Sequence, residues 1–231
     1  MADRGEGSGR RSAPSRPPIL LATRSAGKLR ELRPLFEAHG VPVLDLEELG
    51  ADYEAEEDEI ERYETFEENA LAKARYFYEV SGGISTVADD SGLEILALGG
   101  VPGVRSKRWH RASPGERGEE KGERRGQPAT DVDAANNAVL VREVSGLTDR
   151  RARYVCAAAF VGLAAHEIVH RGEVAGTIVT EPRGPGGFGY DPYFLSSELG
   201  RTFGEATIEE KARVSHRARA FSALLDALVR G

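Results

Sequence analysis

The fold class is decided by residues 19–46, which read ILLATRSAGKLRELRPLFEAHGVPVLDL. Residues 19–22 form a short apolar run of the kind found in a central strand. Between residues 28 and 39 apolar side chains recur at helical spacing, and residues 41–46 are predicted to form the next strand. A strand, loop, helix and strand in this order predict an α/β or α+β domain.

The rest of the chain continues in helices and strands. Thr65 and Glu68 form a capping-box pattern, which predicts a helix that continues to about residue 79. Residues 84–88 are rich in strand-forming side chains and predict a strand that ends at Asp89 and Asp90. Similar patterns predict a helix at 131–144, strands at 153–161 and 167–179, a glycine-rich loop at 182–192 and one or two helices at 207–229.

Two segments lack the apolar content of a core. Residues 1–18 are rich in Gly, Arg, Ser and Pro, and we expect a disordered tail because burial cannot offset the entropy of ordering it. Residues 110–130 are nearly all charged, Gly or Pro, and are expected to form a charged surface insertion. Residues 19–231 are then predicted to form a single domain.

Composition limits the possible functions. The chain has 231 residues and a net charge of −7, which does not favour non-specific binding to nucleic acid or to anionic membranes. No run approaches the ~20 apolar residues of a membrane span, and we expect no secretory signal peptide. The single cysteine, Cys156, is expected to be a small buried hydrophobe in a reducing compartment, so the predicted location is the cytoplasm.

The loop from Thr23 to Lys28 is the first candidate for chemistry. It lies between a predicted strand and a predicted helix, and a helix N-terminus presents unpaired N–H groups and a positive dipole end that suit phosphate. Lys28 adds a positive charge, and Thr23 and Ser25 add hydroxyls. The spacing is not that of a Walker A loop. An ordinary helix cap explains the same residues equally well.

Asp89 and Asp90, followed by Ser91 and Gly92, are the second candidate. Two adjacent carboxylates at a strand end repel each other unless a cation or a proton compensates them. Magnesium takes a few carboxylate oxygens and shares the rest of its shell with water and phosphate. The pair therefore favours a magnesium site, although an Asp-Ser-Gly turn would use the same residues.

An acidic stretch at residues 54–64 precedes the capping box. Most of these carboxylates are expected to be solvated, but one of them could reach a metal near residues 69–74. Asn69 and Lys73 are four residues apart, so both can project from one face of the predicted helix.

Two later segments have the features of a nucleobase pocket. Residues 186–192 read GGFGYDP, in which glycines let the backbone approach a ligand and two rings offer a stacking surface. Lys211, His216 and Arg217 supply donors suited to a carbonyl-bearing base edge or to a phosphate. A histidine near a helix start is more often structural, and that alternative stays open. The spacing of the five histidines is not that of a zinc site, and no Gly-x-Ser-x-Gly elbow is present.

Together and in this order, these segments resemble the inosine triphosphate pyrophosphatase family, in particular its bacterial dITP/XTP pyrophosphatases. The resemblance implies hydrolysis of non-canonical purine nucleoside triphosphates such as ITP, dITP and XTP to the monophosphate and pyrophosphate. It extends from residue 19 to the predicted C-terminal helix and rests on ILLATRSAGKLREL from Ile19, TFEENALAKA from Thr65, ADDSGLEILALGGVPGV from Ala88, GPGGFGYDPYF from Gly184 and EEKARVSHRARA from Glu209.

The resemblance also implies a structure and a set of site residues. The fold would be α/β, with a long, highly twisted mixed central sheet flanked by helices and two lobes with the active site in the cleft between them. The resemblance further implies a homodimer and a Mg²⁺ requirement. Carried over by position, Glu61 and Asp90 would bind Mg²⁺, and Asp90 would be the catalytic proton acceptor. Substrate would be bound by Thr23, Arg24, Ser25, Ala26, Gly27, Lys28, Lys73, Ser91, Phe188, Gly189, Tyr190, Asp191, Lys211, His216 and Arg217.

The chain departs from the family pattern at three places. Ser25 stands where Asn is usual, and Ser is shorter with one fewer donor. Ile60 replaces one member of the usual acidic pair, so only Glu61 remains in that register. The charged insertion at residues 110–130 is not part of the pattern. None of these departures removes a residue that the chemistry requires.

Three other functions fit parts of the sequence. The septum-inhibitor-like nucleotide pyrophosphatases have a comparable N-terminal loop but act on other nucleotides, and the ADDSGL and SHR segments argue against them. A nucleotide sensor that has lost catalysis would fit Ser25 and the reduced acidic pair. A nucleic-acid-binding module would use the basic N-terminal tail, and the negative net charge disfavours it.

Overall fold

The computed structural model describes residues 16–111, 129–163 and 166–230. Most of the predicted tail at 1–18 and of the predicted insertion at 110–130 lies outside the described residues. The turn expected between the two long strands, at 164–166, lies mostly outside them as well. No described helix is long and apolar enough to cross a membrane.

In the described part of the chain, six strands form one mixed sheet with the order β2-β1-β3-β4-β5-β6. Strand β1 pairs in parallel with β2 and with β3, while β3, β4, β5 and β6 pair antiparallel in sequence. This mixed sheet confirms the predicted α/β class. The strands are β1 (Ile19–Leu21), β2 (Val43–Asp45), β3 (Thr86–Ile95), β4 (Arg151–Val161), β5 (Glu167–Ile178) and β6 (Phe194–Ser196).

Five helices flank the sheet in the described residues, and polar caps fix where several of them begin. The Ser25 side chain accepts from Lys28 N, and the Thr65 side chain accepts from Glu68 N. Such caps satisfy N–H groups that have no partner within the first helical turn. The helices are α1 (Ala26–Ala38), α2 (Phe66–Val80), α3 (Ala129–Val144), α4 (Ile208–Val214) and α5 (His216–Arg230).

The helices bury the two faces of the sheet in separate clusters. Helix α2 packs Phe66 and Ala70 against Ala88 of β3, together with alternate residues of β4. Helices α1 and α5 cover the opposite face, where Phe36 and Phe221 are fully buried. A third cluster forms around Leu93, Tyr154, Phe194 and Phe203, with Leu140 of α3. Because neighbouring residues of a strand face opposite sides, β3 and β4 contribute side chains to the clusters on both faces of the sheet.

The prediction that β3 ends at Asp89 and Asp90 was wrong. The strand continues to Ile95, and its ladder with β4 pairs Asp89 with Ala158 and Asp90 with Ala157. The two carboxylates therefore lie within a central strand and face opposite sides of the sheet. The ten-residue ladder with the apolar strand β4 outweighs the turn-like sequence of Asp, Ser and Gly. The prediction also missed β6 and several short 3₁₀ segments, among them Ala55–Glu59 and Gly103–Arg111.

Gly172 of β5 shows how closely α5 approaches the sheet. A Cβ atom at this position would lie 2.2 Å from His216 O and 2.5 Å from Ala220 N, both of which are backbone atoms. We therefore expect Gly172→Ala to lower the free energy of unfolding by about 1–3 kcal/mol through overpacking. Urea unfolding at 25 °C measures the change.

Gly146→Ala is the matched control for this prediction. No heavy atom lies within 4 Å of a Cβ built at Gly146, and its φ is not positive. The substitution should leave stability unchanged or raise it by up to about 1 kcal/mol, because it restricts the unfolded chain. Equal stability of the two variants would contradict the close packing of α5 on β5.

Candidate active site

Asp90 lies on the face of β3 that is covered by α2. Its Oδ2 accepts from Asn69 Nδ2 at 2.9 Å, and its Oδ1 accepts from Ser91 N at 2.9 Å. Burial disfavours the ionised carboxyl, and the negative charge of Glu61 acts in the same direction, so the pKa of Asp90 is raised to about 6. A carboxyl with this pKa can exchange a proton close to neutral pH.

Glu61 and Lys73 form an ion pair beside Asp90. Lys73 Nζ also donates to Asp89 O at 2.5 Å, so this ammonium joins the 61–63 segment to strand β3. Burial opposes ionisation of Glu61, but the positive charges of Lys73 and Lys28 lower its pKa to about 2. Glu61 therefore stays ionised at neutral pH, whereas Asp90 exchanges its proton at a pH close to neutral.

Asp89 lies on the opposite face and is surrounded by cations. Its Oδ2 is 3.0 Å from Lys28 Nζ and 3.2 Å from Arg217 Nε. Burial opposes ionisation, yet Lys28 and Arg217 hold the pKa of Asp89 well below its ordinary range. Its Oδ1 is buried and has no hydrogen-bond partner among the described residues. Asp89 is thus a fixed negative charge, and the two adjacent aspartates differ in the chemistry that they can perform.

The loop from Thr23 to Lys28 forms a helix cap, which is one of the two alternatives that the sequence left open. Ser25 caps α1 by accepting from Lys28 N at 3.4 Å, and Ser25 N donates to Thr23 Oγ1 at 3.2 Å. The Lys28 side chain meanwhile extends to Asp89. Arg24 points elsewhere, since its guanidinium pairs with Glu57 at 2.6 Å in the acidic 3₁₀ segment. The helix cap and the candidate phosphate site therefore use the same loop.

Phe188 brings the glycine-rich loop to the start of α1. A Cβ atom at Gly27 would lie 2.6 Å from Phe188 Cδ1, so the ring packs directly on this glycine. Lys211 Nζ is 4.8 Å from the ring centroid, and Arg217 Cζ is 5.7 Å from it. The ring thus connects the candidate phosphate loop, the candidate base loop and the cations of α4 and α5.

A chain of buried ion pairs extends from this ring. Lys211 Nζ contacts Asp191 Oδ2 at 2.6 Å and Glu31 Oε1 at 2.7 Å, and Glu31 also pairs with Arg217. Asp191 Oδ2 accepts from Phe188 N at 2.9 Å, which fixes the loop at Phe188 to the same chain. Charges of both signs alternate, so each buried cation has an acidic partner.

Tyr190 and His216 pack in the interior. Tyr190 is buried and donates to Ser106 O at 2.7 Å. The His216 ring stacks on Tyr154 with 4.6 Å between centroids. Burial, together with the positive charges of Arg217 and other neighbours, lowers the pKa of His216 well below its ordinary value, so the ring is neutral. Gly189, which precedes Tyr190 in the loop, donates from its N–H to Asp133 Oδ2 at 2.7 Å.

Sequence reasoning missed three residues of this cluster. Glu31 follows Lys28 by three positions on α1, and helical spacing after the phosphate loop is the signal that would have found it. Asp89 was treated only as half of an acidic pair, because the continuation of β3 was not predicted. Asn69 was noted as the neighbour of Lys73 on one helical face but was not assigned to the site.

The implied magnesium ion can be tested against the side chains that are present. Burial disfavours the charged form of Lys73, but Glu61 and the two aspartates raise its pKa well above the ordinary value, so the surroundings favour a cation. Glu61 and Asp90 supply carboxylate oxygens, which are ligands that Mg²⁺ prefers, and Mg²⁺ takes its other ligands from water and phosphate. No group of three or more His, Cys, Asp or Glu is placed to hold a metal in the described ranges. The donor set fits a magnesium ion that arrives with a polyphosphate.

Comparison with known proteins identifies the family of the chain. The Ham1 family matches residues 19–227. The chain is 43% identical over 212 residues to a dITP/XTP pyrophosphatase of Ralstonia nicotianae, covering 91% of this chain and 96% of that protein. It is 44% identical over 214 residues to a dITP/XTP pyrophosphatase of Mycolicibacterium paratuberculosis, covering 91% and 95%. A solved structure of a HAM1 protein from Coxiella burnetii matches with a TM-score of 0.73 at 30% identity, covering 93% of this chain and all of that one.

Glu31 gives a test of the buried ion pairs. Burial opposes ionisation of Glu31, but Arg217 and Lys211 lower its pKa below the ordinary 4.5. Because the folded-state pKa is the lower one, Glu31 contributes stability above pH 4.5 and loses it as the pH falls further. We expect Glu31→Gln to cost about 3 kcal/mol at pH 7, since two buried cations lose a partner. The cost should shrink toward pH 3, as urea unfolding at a series of pH values would show.

Glu48→Gln is the control, because Glu48 also pairs with an arginine, Arg33, but lies at the surface. An exposed pair of this kind contributes less than about 1 kcal/mol. If both variants lose the same stability, or if the cost of Glu31→Gln does not depend on pH, the buried ion pairs do not act as described.

Proposed function

The chain belongs to the Ham1 family, and we propose that it hydrolyses non-canonical purine nucleoside triphosphates (ITP, dITP and XTP) to the monophosphate and pyrophosphate. Relatives that are 43% and 44% identical are named dITP/XTP pyrophosphatases. The observation that carries the proposal is the contact of Phe188 with Gly27. It places an aromatic ring against a helix N-terminus, as a purine triphosphate requires. Lys28 of the same helix lies 3.0 Å from Asp89 of β3, the strand that also carries Asp90.

The triphosphate would bind at the N-terminus of α1. The residues from Thr23 to Lys28 would offer N–H groups and hydroxyls there, and the helix dipole favours an anion. Lys28 and Lys73 add positive charge and would assist the polyphosphate. Both ammonium groups pair with carboxylates in the structure, so a phosphate would share or replace an existing partner.

The purine would lie against the ring of Phe188. Hypoxanthine and xanthine carry a carbonyl at position 6, and Lys211 or Arg217 can donate to it. Adenine carries an amino group at that position, and its binding would leave a buried donor unpaired, which discriminates strongly. Ser91 accepts from Arg217 Nη2 at 2.9 Å and would contact substrate from the strand. Gly189 and Asp191 shape the loop, while Tyr190 and His216 would support the pocket from the interior.

Asp90 would act as the proton acceptor for the attacking water. A bond forms between the water oxygen and the α-phosphorus, and the bond from that phosphorus to the α–β bridging oxygen breaks. The proton passes to Asp90, and pyrophosphate leaves. With a pKa of about 6, Asp90 is still mostly ionised at neutral pH, and it is more basic than an ordinary aspartate and therefore better able to accept a proton.

Magnesium is the proposed cofactor. Glu61 and Asp90 would hold it. When bound, the ion would neutralise the charge that grows on the pyrophosphate leaving group. Lys73, whose ammonium pairs with Glu61, would keep that carboxylate oriented toward the site.

The homodimer, the cytoplasmic location and the absence of a nucleic-acid partner stay predictions. The family resemblance supports the dimer. The single cysteine, which is buried, agrees with a reducing compartment, and the net charge of −7 does not favour nucleic acid. Two further features also stay predictions. They are the two lobes with a cleft between them and the single domain from residue 19.

The reaction is tested by measuring pyrophosphate release from ITP, dITP, XTP, GTP, ATP and dTTP, with Mg²⁺ and with EDTA. We expect metal-dependent release that strongly favours ITP, dITP and XTP. A preference for dTTP would instead indicate the septum-inhibitor-like function. Absence of turnover, with ITP still raising the melting temperature, would indicate a nucleotide sensor, and Ser25 would then be the first residue to revert to Asn.

Replacement of Asp90 tests its role directly. Asp90→Asn removes the proton acceptor and one metal ligand but keeps a similar volume. We expect kcat for ITP to fall by at least ~10²–10⁴-fold, which is the usual contribution of a positioned general base. Steady-state kinetics on the folded variant measures the effect.

Asp45→Asn is the matched control, because Asp45 is also mostly buried but pairs with Arg33 at the end of β2. Its kcat should stay near that of the wild type. Near-normal turnover by a correctly folded Asp90→Asn variant would remove Asp90 from the mechanism.

A further inference from the structure

Asn69 occupies a position that the site described above leaves without a role. It lies in the first turn of α2 and is 1% exposed. Its Nδ2 donates both to Asp90 Oδ2 at 2.9 Å and to Tyr63 O at 3.2 Å, and its Oδ1 accepts from Tyr63 N at 2.8 Å. The amide group thus binds both backbone groups of Tyr63 and the Asp90 carboxylate.

Lys73, one helical turn later, connects the same two segments. It pairs with Glu61 and donates to Asp89 O. Asn69 and Lys73 therefore form two parallel links between the 61–63 segment and strand β3. Of the two, Asn69 is the one that contacts the Asp90 side chain directly.

The hydrogen bonds at Asp90 restrict how its carboxylate can rotate. Ser91 N fixes Oδ1, and Asn69 fixes Oδ2. The bond from Ser91 comes from the adjacent backbone and cannot be removed by changing a side chain. The bond from Asn69 is charge-assisted when Asp90 is ionised, and it is the one that links this carboxylate to the Tyr63 backbone.

We propose that Asn69 is a positioning residue that orients the Asp90 carboxylate and sets its separation from Glu61. This inference rests on the proposed function, since it assigns Asn69 to the same reaction. Asn69 makes no hydrogen bond to the base loop or to the Thr23–Lys28 loop, so we expect its effect to fall mainly on turnover.

Two substitutions separate positioning from folding. Asn69→Ala removes all three hydrogen bonds. Asn69→Asp keeps an acceptor for Tyr63 N but places a second carboxylate where Asp90 had a donor, and it serves where the alanine variant does not fold. Ser81→Ala is the control on the same helix, because it removes two hydrogen bonds at the far end of α2 without touching Asp90.

The experiment measures kcat and KM for ITP, and the rise in melting temperature that ITP causes in EDTA. We expect Asn69→Ala to lower kcat by about 10–100-fold, as for other residues that orient a reactive group from behind. Its KM and the ITP-induced shift should stay within about threefold of wild type, because the ground-state contacts remain. Asn69→Asp should lose at least as much kcat, and Ser81→Ala should retain it.

Each outcome decides a different point. Folded Asn69→Ala or Asn69→Asp with wild-type kcat overturns the positioning role while leaving the proposed function intact. A rise in KM without loss of kcat also overturns it, since that would make Asn69 a binding residue. If the wild type itself releases no pyrophosphate from ITP, dITP or XTP, the proposed function fails, and the role of Asn69 in that reaction fails with it.

Discussion

The alternation of side chains along strand β3 is the constraint on which the candidate site depends. Consecutive residues of a strand face opposite sides of a sheet, so Asp89 and Asp90 enter different surroundings although they are neighbours in sequence. The long ladder with β4 holds that alternation in place through the site. One carboxyl is surrounded by cations and stays ionised, and the other is buried near the Glu61 carboxylate and has a pKa raised to about 6. A single strand thereby supplies a fixed negative charge and the candidate proton acceptor.

Burial of so many charges is tolerated because they compensate one another. Isolated buried ions are costly, whereas Lys211, Arg217 and Lys28 each contact at least one acidic side chain. The arrangement also has a functional side. The cations that would recognise a phosphate or a carbonyl are held in place before substrate arrives, so less ordering is required during binding.

Much of the architecture follows from sequence patterns, and the exceptions have physical causes. Helices α1 and α2 were predicted from their caps and apolar periodicity, and α3 from its sequence pattern, because these are local signals. The continuation of β3 was not predicted, because pairing with β4, which is distant in sequence, overrides a turn-like sequence. Motif order pointed to the residues from Thr23 to Lys28 and to Phe188, and the structure brings Gly27 and Phe188 together. Glu31 was not predicted, because its partners, Lys211 and Arg217, come from the other end of the chain.

Helices α1 and α5 both contact Asp89, and this has a consequence for the synthesis of the protein. Asp89 is contacted by Lys28, near the start of the folded chain, and by Arg217, in the last helix. During translation the first strand and helix leave the ribosome long before Arg217 is synthesised. A nascent chain cannot assemble these contacts, and a product truncated by a premature stop codon before α5 lacks the cation as well as Phe221 and Leu224 of the core. Such a fragment would lack activity and would be exposed to proteases. Only the full-length protein would therefore be active in the cell.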